Sequence, residues 1–68
     1  MATDIALSQI DQILLEGAGW FTIVPGTAQF NVVTVAGQSP GGTWITFVSG
    51  SQGVACPVSS ILAIRYNP

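Results

Sequence analysis

Leu7, Ile10 and Leu14 form an apolar stripe near the start of the chain, flanked by Ala6 and Ile13. This spacing is helical, Thr3 and Asp4 are favoured N-cap residues, and Gly17 is a stop. The pattern predicts a helix over residues 4–16. After Gly17-Ala18-Gly19 the period changes to short runs of β-branched and aromatic residues punctuated by Gly, Pro, Ser and Gln, as in consecutive antiparallel strands. Strands are expected over residues 20–24, 30–36, 43–49, 54–56 and 61–66, with turns at Pro25-Gly26, residues 37–42, residues 50–53 and Pro57-Val58-Ser59-Ser60. In the third of these, Trp44, Thr46 and Val48 oppose Ile45 and Phe47; in the last, Ile61 and Ala63 oppose Leu62, Ile64 and Tyr66. Both faces are largely apolar, so the second must be covered by the helix, by curling of the sheet, or by another subunit.

Length sharpens that requirement. A chain of 68 residues makes one domain, residues 1–68, and buries only about 60% of its extended surface. Small domains usually lean on disulfides, a metal or a partner. With one Cys, no His and three acidic residues, all in the first sixteen positions, disulfides and a His-ligated metal site are excluded and no cofactor is expected. Charged residues are 6% of the chain, against about 25% in ordinary soluble domains, so a monomer could not cover its surface with charge. A homo-oligomer is the expectation. The absence of His and Lys also argues against general acid–base catalysis, and Cys56 has no base to activate it, so no enzyme is expected. The start lacks a basic signal-peptide region and no apolar run approaches the ~18 residues of a membrane span, which predicts a soluble chain. The unpaired Cys56 suits the reducing cytoplasm.

The segment Val54-Ala55-Cys56-Pro57-Val58-Ser59-Ser60-Ile61-Leu62-Ala63-Ile64 resembles the second motif of the Sm-like (LSm/Hfq-type) small β-barrel family, in which a short strand passes through an abrupt turn into a Val-rich strand. The rest of the chain matches that family in element order. The resemblance implies a mostly β fold: an N-terminal α-helix followed by a strongly bent five-stranded antiparallel Sm-like (SH3-like) barrel. Other small barrels, SH3-like or OB-like, share such an order. It also implies a closed ring of about five to seven subunits, joined by the fourth strand of one copy and the fifth of the next. The interface residues would be Val54, Ala55, Cys56, Ile61, Leu62 and Ile64, in edge strands without Lys or Glu to block pairing. Ala55 and Cys56 stand where the family carries Lys and His, and residues 37–42 lack its Asp and Asn, so the usual RNA pocket is incomplete.

Weak binding of single-stranded RNA or DNA, through Gln38, Ser39, Ser59 and Arg65 with aromatic faces for stacking, is one expected function. One cation per subunit keeps its salt dependence shallow. Turn chemistry is the plainer account of Gln38, Ser39 and Ser59, and Arg65 equally suits a carboxylate across a subunit boundary. The other reading is a structural or assembly module, such as a phage ring component, working through protein contacts.

Overall fold

The computed structural model describes residues 3–68. Six strands form two three-stranded antiparallel sheets. In chain order they are β1 (Ile10–Leu15), β2 (Gly19–Thr22), β3 (Gln29–Asn31), β4 (Trp44–Ser49), β5 (Gln52–Pro57) and β6 (Ile61–Tyr66). The first sheet runs β2-β1-β6 and the second β3-β4-β5. Short 3-10 turns at Leu7–Gln9 and Val58–Ser60 precede β1 and β6.

The helix expected over residues 4–16 is absent, and the five-stranded barrel is replaced by two sheets that do not close. The reason lies in what β1 pairs with. Gln12, Ile13, Leu14 and Leu15 face Thr22, Phe21, Trp20 and Gly19 of β2, while Ile13 and Leu14 face Ile64 and Ala63 of β6. As the central strand, β1 has hydrogen-bonding partners on both sides, and its alternation buries Ile13 and Leu15 on one face. The helical stripe Leu7, Ile10 and Leu14 would have left those two side chains divided between faces. Only a single 3-10 turn remains of it, held by the Ala6 N–H donating to Gln9 Oε1 at 2.9 Å. Local propensity is a weak preference that such tertiary pairing overrides.

The second expected strand, residues 30–36, is also shortened. β3 ends at Asn31, and the chain turns back on itself where the Val35 N–H and the Gln38 N–H donate to each other's carbonyls at 2.8 and 3.0 Å. Ala36 (φ 51) and Gly37 (φ 80) occupy the two central positions of that turn. Positive φ at both is the requirement of a tight hairpin turn, which Gly meets freely and Ala meets under strain.

Ile23 and Val24 stitch the two sheets together: the Ile23 N–H donates to the Asp11 carbonyl at 2.9 Å and the Val24 N–H to the Val48 carbonyl at 2.9 Å. Between the sheets lies a core of Ile13, Leu15, Ile23, Ile45, Phe47 and Cys56. Phe21 closes one side edge-on to Phe47, with ring centroids 6.2 Å apart. This core is small for the chain. The molecule exposes 4668 Å², where a compact monomer of this mass exposes about 4,000 Å². Its radius of gyration is 12.2 Å, against about 11 Å for a compact chain of this length. Phe30, Val32, Val35 and Leu62 are among the large apolar side chains left in solvent.

Candidate functional site

The first sheet presents a row of polar and aromatic side chains across its outer face. Gln12 sits opposite Thr22 on one side and Arg65 on the other. Its Nε2 donates to Thr22 Oγ1 at 3.1 Å, and its Oε1 accepts from Arg65 Nη1 at 2.9 Å. The Arg65 guanidinium stacks over the Trp20 ring, with Cζ 4.1 Å from the centroid. At an exposed site such a contact contributes about 0.5–1 kcal/mol, enough to fix the side chain's direction but not to sequester it. Arg65 therefore lies flat on the sheet, its remaining N–H groups available to an acceptor from outside. Gln12 escaped the sequence reading because the helical assignment hid the β alternation that aims it at Arg65.

The other polar candidates lie elsewhere. Gln38 closes the tight turn with Val35, and Ser39 Oγ accepts from the Gly41 N–H at 3.3 Å within the same loop. Trp44 braces that loop by donating from Nε1 to the Gly41 carbonyl at 3.1 Å. Ser59 is exposed in the 3-10 turn before β6. Among the described residues no hydrogen bond joins Gln38, Ser39 or Ser59 to Arg65, and each serves or borders a turn.

The six expected interface residues divide by direction. Val54 faces Phe47, Cys56 faces Ile45, and Ile61 and Ile64 pack against the core, so these four look inward. Ala55 is exposed opposite Thr46, and Leu62 is 61% exposed at a register break in β6 where Leu14 pairs with Ala63 but Leu15 pairs with Ile61. The extra residue bulges from the edge. Both β5 and β6 end their sheets, so each also offers an unpaired line of main-chain groups.

Two concavities among the described residues border these elements. A cleft of about 270 Å³ lies among Leu7, Ile10, Asp11, Ile23, Pro25 and Ala28. Its one charged group, Asp11, accepts from Asn67 Nδ2 at 3.2 Å. A shallow groove of about 330 Å³ runs along β4 and β5, lined by Thr46, Phe47, Val48, Gly53, Val54 and Ala55. Among the described residues no three His, Cys, Asp or Glu side chains come together as metal ligands, and no helix is long and apolar enough to cross a membrane.

Cys56 is buried in the core as a free thiol, and burial pushes its pKa above the ordinary 9.0. The sign of the resulting pH dependence follows. Above the ordinary thiol range the unfolded chain loses this proton before the folded one, so the folded state binds more protons and its stability falls as pH rises. Urea midpoints should decline above about pH 9 in the native chain. The decline attributable to this thiol should vanish in Cys56→Ala; an identical alkaline decline in the two proteins would remove the thiol from the explanation.

Comparison of the chain with family models, with curated proteins and with solved structures returns no match.

Proposed function

We propose that this chain is a non-enzymatic assembly module that builds a homo-oligomer by pairing β5 of one copy with β6 of the next. The observation that carries the reading is the pair of open edges. Both strands are six residues long, β5 has no charged residue and β6 has only Arg65. Long edges without inward charges or covering elements are templates for another strand. The remaining edge strands, β2 and β3, have four and three residues and are blunted by their shortness. The segment that carries the Sm-like resemblance, residues 54–64, supplies four of the six residues of β6 and four of the six of β5. Because β5 and β6 are different surfaces, repeated head-to-tail contacts close into a ring or run on as a fibre. Apolar burial at each junction contributes roughly 25 cal/mol per Å² before the entropy of association is subtracted. A reducing compartment such as the cytoplasm suits the free Cys56 thiol.

Light scattering across a dilution series tests this. The expected result is a species heavier than the monomer whose urea midpoint rises with protein concentration. A monodisperse 7.0 kDa monomer that survives concentration to the millimolar range would refute it.

The Trp20–Arg65 pair favours a second reading, weak binding of single-stranded RNA or DNA on the outer face of the first sheet. An exposed indole stacks on bases without reading sequence, and the guanidinium can meet one phosphate. With one cation per chain, log affinity should fall with log salt at a slope of about one or less per subunit. Arg65→Ala should abolish most of the binding seen with a fluorescent oligonucleotide at low salt. Tight binding that Arg65→Ala leaves intact would place any such site elsewhere.

A further inference from the structure

Seven of the eight glycines have positive φ, between 61° and 86°, and are accounted for by the turns they make. Gly53 is the exception. It lies inside β5 opposite Val48, outside the left-handed region, and a Cβ built on it meets nothing within 4 Å. Nothing inside the chain requires a glycine there. A glycine weakens a strand interior, and where backbone geometry does not explain it, the usual reason is close approach of a ligand or another backbone.

The surroundings of Gly53 say where that approach comes from. Val54 and Cys56 point into the core, so Gly53 and Ala55 share the outer face of β5. With Thr27, Thr46 and Val48 they line the shallow groove of about 330 Å³ over β4 and β5, which is uncharged throughout, and β5 is the free edge of that sheet. A strand laid along that edge brings its own side chains beside Gly53 and Ala55. The chain carries one edge strand of matching length, β6, and its register break leaves Leu62 protruding as the most exposed large apolar side chain of that strand.

We propose that Gly53 and Ala55 are the seat for Leu62 of a second copy, so that the bulge of one β6 locks into the groove beside the next β5. The inference rests on the edge pairing argued above and adds the residues that set its register. A slip by one residue turns the leucine to the other face and leaves the groove empty, so knob and seat together select a single alignment. The groove offers no charge to pair with an acidic or basic occupant and fits a leucine.

The variants are Gly53→Val, Leu62→Ala and the double variant, with the native chain alongside, each followed by light scattering on dilution and by circular dichroism. Valine is a strand former and a Cβ at this position meets nothing within 4 Å in the single chain, so Gly53→Val should retain the β spectrum while raising the concentration for half-assembly at least tenfold. Leu62→Ala should do the same from the other side, and the double variant should recover part of the loss, because the smaller knob leaves room for the filled seat. Should Gly53→Val fail to fold, Leu62→Ala alone decides, since Leu62 touches solvent and its truncation spares the core. Native assembly with both single variants associating at the native concentration would overturn the seat while sparing the edge pairing. A native chain that remains monomeric would overturn both.

Discussion

Ile13→Ala is expected to remove a large share of the chain's folding stability. Ile13 has no exposed surface, sits at the centre of the first sheet, and faces Phe21 on one neighbour and Ile64 on the other. Truncating a buried Ile to Ala costs about 2–5 kcal/mol, because the lost transfer energy is compounded by a cavity that the surroundings fill incompletely. A domain of this length has only about 3–10 kcal/mol in total. Among the described residues one cluster of six buried side chains forms the core, and Ile13 belongs to it. Urea titrations at one fixed protein concentration should show the midpoint falling by a large fraction of its native value. Val32→Ala, at a position 80% exposed, should stay within about 0.5 kcal/mol of the native chain. Equal effects from the two substitutions would mean that the core is not where Ile13 lies.

Lysine at neighbouring positions of β6 should separate folding from assembly. Ile64 packs against the core opposite Ile13, so Ile64→Lys forces an ammonium into an apolar interior, and the outcome should be an unfolded or aggregated chain. Leu62 projects into solvent in the single chain, so Leu62→Lys should leave the fold intact and place an unpaired charge only in the junction between copies. The expected readout is a β-type circular dichroism spectrum from a 7.0 kDa species that no longer assembles. If Leu62→Lys assembled at native concentrations, β6 would not be the joining edge.

The strands from β4 onward were legible in the sequence because their signals were local and doubled. Gly50-Ser51 makes the two-residue turn between Ser49 and Gln52, and Pro57-Val58-Ser59-Ser60 marks the 3-10 turn before β6. β1 was not legible. Its composition satisfies two templates at once, and the decision between them lies with β2 and β6, whose pairing no local window contains. The run at Val32 to Val35 misled for the complementary reason: its residues favour strands, yet no strand lies beside it, and propensity without a partner does not make a sheet. Of the candidate residues, Leu62 and Ala55 could be placed on edge strands but not on a surface, since their exposure depends on a register break and on the inward direction of Val54 and Cys56. Gly53 read as the end of a turn, and only its ordinary φ shows that it belongs to the strand.

The Gln12–Arg65 hydrogen bond spans 53 residues and joins β1 to β6, strands from opposite ends of the chain. β1 is made early, yet half of its main-chain partners arrive only with β6. Until then the strand carries Ile13, Leu14 and Leu15 with one side unpaired, in a chain whose β2 hairpin alone is marginal in water. Sheets closed by such distant segments pay loop entropy before they gain contacts, so refolding should fall in the millisecond-to-second range of non-local β topologies. During that interval β1 is an edge as open as β5 or β6, and a neighbouring nascent chain's β6 can complete it as well as its own. Expression level and temperature thus govern whether β6 completes its own sheet or that of another chain.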